Sequence, residues 1–305
     1  MGGSTSMPVR SMTVGEALLS RVLRMLPVKH GKHRLLDRLC RRAWKRDELL
    51  VWVPFGGERL RISIDELVGW HFAMLRSFDP EVVDVLLVSG SDIEEAVFWD
   101  IGANKGACSY AIARGLVNAK IVAIEPQSAL EADNRYNLDL LCKDRYHYVR
   151  AGIGEREEML NLVIPAQNTG KASLHMSGSG VDGKVEAIEV VRADRVVTES
   201  GWGWPDLVKI DVEGHESVVI ASLRDGLVEK KIKVIVFECH ARDRAQFDEI
   251  RQVIDGLGYS LYGIDKSILS TRLRRSDEIV DGMTDYVILL DHFRDESSSL
   301  QRLLS

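Results

Sequence analysis

From Val97 towards the C-terminus, short apolar runs alternate with amphipathic stretches of the length of a helix. Runs rich in Val, Ile, Phe and Tyr are typical of strands, and strand–helix alternation predicts a parallel sheet with helices on both faces. The predicted parallel strands contain AVFWDI, KIVAIEP, YHYVRAGIG, DLVKIDV and KVIVFEC. The last two strands, YSLYGID and DYVILL, follow each other without a predicted helix, which indicates an antiparallel hairpin at one edge. The pattern therefore predicts an α/β fold.

A polar segment interrupts this alternation. PAQNTGKASLHMSGSGVDGK lies between MLNLVI and VEAIEVV, two runs in which apolar and polar residues alternate. This pattern predicts an inserted β-hairpin with a mobile tip. Long loops in compact domains are commonly functional, so residues 166–184 are a candidate flap over a substrate.

The chain before Val97 has a different pattern. Residues 12–27 and the stretch HRLLDRLCRRAWKRDELL predict two amphipathic helices, and LVWVPFGGERLRISI predicts a hairpin around Gly56 and Gly57. Two further helices are expected up to Gly90. We predict a helical and hairpin extension over residues 1–90, used for substrate binding or oligomerisation, and an α/β domain over residues 91–295.

Charge is distributed unevenly along the 305 residues, whose net charge is −6. Residues 1–50 contain 11 Lys or Arg and 4 Asp or Glu, a charge of +7, so the remaining chain carries −13. An acidic body argues against a nucleic-acid partner. The basic second helix predicts either a packing helix with a solvated face or contact with an anionic membrane surface or acidic partner. The amphipathic helices are also candidate elements of a homodimer.

Two compositional features bear on location. No apolar run has the length of a transmembrane segment. The four cysteines are scattered and form no ligand-like spacing, which is typical of reduced cysteines in a cytoplasmic protein. We therefore expect a cytoplasmic location.

The turn DIGANKG joins the first strand of the alternating region to the helix after it. Gly102 and Gly106 permit a tight turn and a close approach of a ligand to the backbone. The dinucleotide fingerprint requires glycine at the position of Asn104, and Lys105 is not followed by the Ser or Thr of a phosphate loop. The turn thus carries no phosphate-binding fingerprint.

Two acidic residues point to another kind of ligand. Asp100 precedes the turn and Glu125, followed by Pro126, ends the next strand. A carboxylate at the end of the second strand is placed to accept hydrogen bonds from two ribose hydroxyls. A ribose carrying a cationic amino acid and no phosphate describes S-adenosylmethionine. The alternatives are a helix N-terminal acid for Asp100 and a solvated strand end for Glu125.

A second group of ionisable residues follows the next two strands of the predicted sheet. LVKIDVEGHE and VIVFECH place these residues at one edge: Lys209, Asp211, Glu213, His215, Glu216, Glu238 and His240. Burying so many ionisable groups costs free energy unless they form ion pairs or take part in binding or catalysis. Lys209 can pair with Asp211 or Glu238.

Several roles are open for this second group. Asp211 and His215 are the leading candidates for a general base, with His240 third, while Glu213 and Glu216 orient partners or cap the following helix. Alternatively, Asp211 and Glu238 bind a divalent metal. We do not favour the metal, because Lys209 already compensates the charge.

FWDIGANKGACS, VAIEP, LVKIDVEGHE and VIVFECH, in this order and spacing, resemble the motifs of the FkbM family of S-adenosylmethionine-dependent methyltransferases. The resemblance covers residues 97–290. It implies the seven-stranded class I methyltransferase sheet with strand order 3-2-1-4-5-7-6. It also implies O-methyl transfer to a hydroxyl of a sugar, a glycan or a glycosylated or polyketide-type natural product, with S-adenosylhomocysteine as the product.

The family motifs map onto particular residues of this chain. The resemblance assigns Asp100, Gly102, Asn104, Gly106 and Glu125 to the cofactor, with Ala103 and Pro126 beside them. It assigns Lys209, Asp211, Glu213, Gly214 and Glu216 to the reaction site, where Asp211 also lies next to the cofactor. His215 occupies a position that varies in the family. The competing hypotheses are a nicotinamide-dependent dehydrogenase and a non-catalytic methyltransferase-like binding partner.

Overall fold

The structure is a computed structural model that describes residues 9–28, 31–40, 50–165, 183–267 and 270–304. Within these ranges the strands are β1 (Val9–Ser11), β2 (Leu50–Phe55), β3 (Glu58–Ser63), β4 (Val97–Ile101), β5 (Lys120–Ile124), β6 (Tyr146–Val149), β7 (Gly152–Ile153), β8 (Glu158–Pro165), β9 (Gly183–Val191), β10 (Leu207–Ile210), β11 (Val234–Glu238), β12 (Tyr259–Lys266), β13 (Thr271–Arg275) and β14 (Asp285–Leu290). The α-helices are α1 (Val14–Met25), α2 (Lys32–Cys40), α3 (Leu67–Leu75), α4 (Pro80–Gly90), α5 (Ala107–Gly115), α6 (Ser128–Cys142), α7 (Ala193–Ser200), α8 (Glu216–Ser222), α9 (Arg224–Val228), α10 (Arg244–Ile254), α11 (Asp291–Glu296) and α12 (Gln301–Leu304).

The central sheet has eight strands in the order β13-β12-β14-β11-β10-β4-β5-β6. The five strands β6, β5, β4, β10 and β11 run parallel, while β14 is antiparallel to β11 and β12 is antiparallel to β14. The predicted count of seven strands is wrong, because β13 adds an edge strand beside β12. Numbered without β13, the strands lie in the order 3-2-1-4-5-7-6.

Apolar side chains cover both faces of this sheet. In β4, Phe98 points to one core, whereas Val97, Trp99 and Ile101 point to the other. All five residues of β4 are buried, as expected for a parallel strand between two helical layers. The C-terminal ends of β4, β5, β10 and β11 therefore meet at one edge, where a ligand site is expected in an open α/β sheet.

The N-terminal part packs against one face of the sheet. β2 and β3 form the predicted hairpin, and β1 adds in parallel to β2. Helix α1 begins with a capping box in which Thr13 and Glu16 satisfy each other's backbone amides. Leu60 and Phe98 belong to the same apolar core, so that core contains residues from both sides of position 90. The division into two domains stays a prediction.

The inserted segment has its own small sheet, with strand order β7-β9-β8. The antiparallel pairing of β8 with β9 confirms the predicted hairpin. The predicted flap at its tip lies outside the described residues, except for Gly183 and Lys184. In the described ranges, no helix is both long and apolar enough to cross a membrane.

Candidate active site

The glycine turn lies against the end of β10. Gly102 has φ +75, and a Cβ atom there would lie 1.9 Å from the carbonyl oxygen of Asp211. Asn104 and Gly106 also have positive φ, +49 and +73. The amides of Gly102 and Ala103 both donate to the carbonyl of Ile124 at 3.0 Å. The turn therefore joins three neighbouring strand ends, and glycine is required at position 102.

Glu125 is buried at the end of β5. Its carboxylate accepts hydrogen bonds from the amides of Asn104 at 2.8 Å and Gln127 at 2.9 Å. Burial raises the pKa of Glu125 to about 7, although both amide hydrogen bonds act in the opposite direction. Glu125 thus joins the glycine turn to the second strand.

Asp100 lies beneath the turn. It is fully buried and accepts hydrogen bonds from the amide of Ser109 at 3.0 Å and its hydroxyl at 2.6 Å, which secures the start of α5. Asp100 and Gly106 line neither of the two cavities described below. The predicted contact of these two residues with a cofactor stays a prediction.

Lys209 connects the first and second groups of predicted residues. Its ammonium donates to the carbonyl of Gly102 at 3.0 Å and lies 3.2 Å from Asp211 and 3.6 Å from Asp100. Burial acts to lower the pKa of Lys209, but the carboxylates of Asp211 and Asp100 raise it above its usual value. Lys209 is therefore a cation held between two carboxylates, and the predicted pairing with Asp211 is present.

Glu216 shapes the loop after β10. It is buried and accepts hydrogen bonds from the amides of Val212 at 3.2 Å and Gly214 at 3.1 Å, and from the amide of the Gln246 side chain at 2.5 Å. Glu213 and Gly214 both have positive φ, so this loop turns sharply. The position of Glu216 agrees with the predicted role of orienting its neighbours.

Two cavities lie at this edge of the sheet. The lining of the first cavity includes Gly102, Glu125, Pro126, Asp211 and His215. The lining of the second cavity includes Asp79, Ala103, Lys209, Asp211, Glu238 and Asp285. Asn104, Asp211 and Glu213 line both. These three residues therefore mark the place where the cavities meet.

The N-terminal part of the chain provides one wall of the second cavity through Leu67, Val68, Phe78 and Asp79. Trp70 and His71, which follow in the same helix, are buried and line neither cavity, and His71 lies 2.7 Å from Asp37.

Among the charged side chains that line the second cavity, carboxyl groups outnumber lysines. Lys266 lies 2.6 Å from Asp285, so that carboxylate is paired. Burial, followed by the nearby charges of Asp211 and Asp285, raises the pKa of Glu238 to about 8. Burial and the same two carboxylates raise the pKa of Asp79 to about 8 as well. Two carboxyl groups of the second cavity therefore exchange protons near neutral pH.

Asp79 was not among the candidate residues of the sequence analysis. It precedes α4 with φ +43, and its side chain does not cap the helix. Lys105 was missed too: it reaches from the glycine turn to Asp65, Glu66 and the carbonyl of Ser63. The place of Asp79 in the second cavity and the contacts of Lys105 each bring together segments that lie far apart in the sequence. No local pattern therefore indicates them.

His240 lies at the rim of this region. Its Nε2 lies 3.5 Å from Glu238, but the residue lines neither cavity. Among the described side chains, no group of three or more His, Cys, Asp or Glu residues is arranged to hold a metal ion.

Comparison with solved structures finds similar methyltransferases. A SAM-dependent methyltransferase from Agrobacterium tumefaciens is 10% identical, with 84% of this chain and 79% of that chain covered and a TM-score of 0.42. A precorrin-6y C5,15-methyltransferase from Geobacter metallireducens GS-15 is 15% identical, with 69% and 89% covered and a TM-score of 0.38. The O-methyltransferase TomG from Streptomyces achromogenes, involved in tomaymycin synthesis and solved in complex with SAM, is 11% identical, with 68% and 78% covered and a TM-score of 0.36.

No curated protein matches the chain significantly. The sequence profile of the methyltransferase FkbM domain matches residues 100–261, more than half of the chain. The match begins at Asp100 and includes the glycine turn, Glu125 and the KIDVEGHE loop. The chain therefore belongs to the FkbM methyltransferase family.

Proposed function

We propose that the protein transfers the methyl group of S-adenosylmethionine to a hydroxyl oxygen of an acceptor bound in the second cavity. The observation that carries this proposal is the meeting of the two cavities at Asn104, Asp211 and Glu213. Methyl transfer needs donor and acceptor in line, and two cavities that join at the edge of the sheet provide such an arrangement.

The first cavity fits the cofactor by its chemistry. Glu125 offers a carboxylate to the ribose hydroxyls, and Ile124, Leu162 and Ile188 offer apolar contacts to an adenine ring. In dinucleotide-binding folds the pyrophosphate lies on the backbone amides of a G-x-G-x-x-G turn, and here Asn104 stands at the position of the middle glycine. This turn favours S-adenosylmethionine over a nicotinamide dinucleotide.

When bound, S-adenosylmethionine supplies a methyl group on a sulfonium and leaves as S-adenosylhomocysteine, so the protein must align the acceptor oxygen and remove its proton. Asp211 lies where the cavities meet, and its pairing with Lys209 at 3.2 Å fixes its position. In our proposal Asp211 accepts a hydrogen bond from the acceptor hydroxyl and orients it.

Glu238 takes the proton in this proposal. Ile210 pairs with Phe237 across β10 and β11, so Asp211 and Glu238 follow the last paired residues at the same edge. A pKa of about 8 makes Glu238 a stronger base than an ordinary carboxylate, yet a fraction of it is ionised at neutral pH. His215 lines the cofactor cavity and therefore has an orienting role in this scheme.

The acceptor is a molecule with several hydroxyl groups, such as a sugar, a glycan or a glycosylated natural product. Asp79, Glu238 and Asp285 place carboxyl groups around the second cavity, and carboxyl oxygens accept hydrogen bonds from hydroxyls.

The proposal is tested in two measurements on the full chain. Calorimetry with S-adenosylhomocysteine measures cofactor binding, and transfer of radiolabelled methyl from S-adenosylmethionine to a panel of sugars, sugar nucleotides and glycosylated metabolites measures activity. We expect Asp211→Asn to retain at least part of the binding and to lose transfer. Binding of NADH instead of S-adenosylhomocysteine, or binding of neither, would overturn the proposal.

A further inference from the structure

Helix α1 has an exposed apolar face. Val14, Leu18, Val22 and Met25 are 86%, 63%, 51% and 74% exposed. With 3.6 residues per turn, their spacing places them within about 80° of arc on the helix. The opposite side of α1 is occupied, because Leu23 is buried and the hydroxyl of buried Ser20 donates to the carbonyl of Met74 in α3 at 2.6 Å. The exposed face is thus unpartnered among the described residues.

Helix α2 also exposes aliphatic side chains. Leu35 and Leu39, one turn apart, are exposed, while Leu36 is buried. Asp37 lies 2.7 Å from His71 in α3, and Lys32 donates to the carbonyl of Arg24 in α1 at 3.2 Å. Both helices are therefore fixed to α3 and to each other. We call the exposed aliphatic side chains of α1 and α2, together with the arginines between them, the N-terminal face.

The charges of the N-terminal face have one sign. Its arginines are Arg21, Arg24, Arg34 and Arg38. In the described part of the chain none of these four forms an ion pair, whereas the acids of the two helices are engaged, Glu16 by Arg10 at 2.7 Å and Asp37 by His71. Aliphatic side chains bordered by unpaired cations are typical of helices that lie on anionic lipid.

We propose that the N-terminal face docks on an anionic lipid surface. The lipid interior accepts the aliphatic side chains, and the lipid phosphates neutralise the arginines. Symmetric pairing of this face with that of a second copy would bring Arg21, Arg24 and their counterparts together without compensating acids. The charge pattern therefore favours lipid over self-association.

Helix α3 connects the N-terminal face to the second cavity. It holds α1 through Met74, and its first residues, Leu67 and Val68, line the cavity. Along the helix axis, Leu67 and Met74 are separated by about 10 Å. The docking itself does not depend on the proposed activity.

Vesicle co-sedimentation of the full chain tests the proposal. The probes are vesicles of equal parts phosphatidylglycerol and phosphatidylcholine, and vesicles of phosphatidylcholine alone. We expect binding to the anionic vesicles only, and a loss of binding as NaCl rises from about 0.05 M to about 0.5 M, because salt screens the arginines. Absence of binding to anionic vesicles at low salt would overturn the proposal.

Surface variants then locate the binding face. Leu18→Ser with Val22→Ser, or Arg21→Gln with Arg24→Gln, should each lower the partition coefficient about tenfold or more. The matched control is Val117→Ser with Val228→Ser, two valines that are 64% and 51% exposed elsewhere. Equal binding by the α1 variants and the control would refute docking by this face. So would sedimentation equilibrium showing a dimer that Leu18→Ser dissociates, since a second copy would then cover the face.

Discussion

The amide of Asn104 donates a hydrogen bond to the carboxylate of Glu125 at 2.8 Å, across the floor of the first cavity. The glycine turn and the end of β5 are thereby held together. Because this hydrogen bond engages one carboxylate oxygen and the amide of Gln127 engages the other, the remaining lone pairs of Glu125 are aimed by the backbone. The cavity thus presents a carboxylate that is already oriented.

Replacing Glu125 with Gln should weaken binding of S-adenosylhomocysteine about tenfold, because an amide accepts hydrogen bonds from ribose hydroxyls less strongly than a carboxylate. Since the pKa of Glu125 is about 7, wild-type affinity should rise as pH increases from 6 to 8. Calorimetry across this pH range measures both effects. The exposed Glu94→Gln is the control, and an affinity with the same pH dependence in Glu125→Gln would contradict the assignment.

Gly102→Ala should cost about 3 kcal/mol or more of unfolding free energy, because alanine adds backbone strain at φ +75 and a Cβ atom 1.9 Å from the carbonyl oxygen of Asp211. Gly201→Ala is a matched control: φ is +70 there, and nothing lies within 4 Å of the added Cβ. That control should lose only about 1 kcal/mol. Urea unfolding of the two variants measures the difference, and equal losses would show that the close approach is unimportant.

The local patterns of the sequence predict much of this fold. Continuous apolar runs locate the parallel strands, because both faces of that sheet must be apolar, and period-two alternation locates the inserted hairpin. Strand β13 escaped prediction because its five residues include three arginines and a single large apolar residue, Leu273, so the run is too short and too polar to stand out as a strand.

The site is less completely encoded by local patterns. The glycines and Glu125 have a recognisable spacing, because they belong to one local turn that the Asn104 amide ties to the end of the next strand. Asp79 does not, because its place in the second cavity depends on how α4 packs against the sheet, far from β10 in sequence. Sequence spacing also does not distinguish an acidic residue that lines a cavity from one that is buried beneath it. Asp100 is of the second kind, because it is fully buried.

Lys209→Met should destabilise the fold by about 3–5 kcal/mol, because it removes the hydrogen bond to Gly102 and leaves the fully buried carboxylate of Asp100 without the cation that lies 3.6 Å from it. Lys120→Met is the control, since its pair with Glu95 is largely exposed and should contribute less than about 1 kcal/mol. Denaturant midpoints for both variants test this prediction. A loss no greater than that of the control would mean that Lys209 is not required to compensate the buried charge.

Glu238→Gln should lower kcat about 100-fold or more, with a smaller effect on acceptor KM, because the amide cannot take the proton of the acceptor hydroxyl. With a pKa of about 8, Glu238 loses its proton as pH rises, so wild-type kcat should increase between pH 6 and 9. Asp79→Asn removes one of the negative charges that raise the pKa of Glu238, so it should move this increase to lower pH. The exposed Asp255→Asn should leave the profile unchanged. A Glu238→Gln enzyme with near-normal kcat and an unshifted profile would exclude Glu238 as the base and return the role to Asp211.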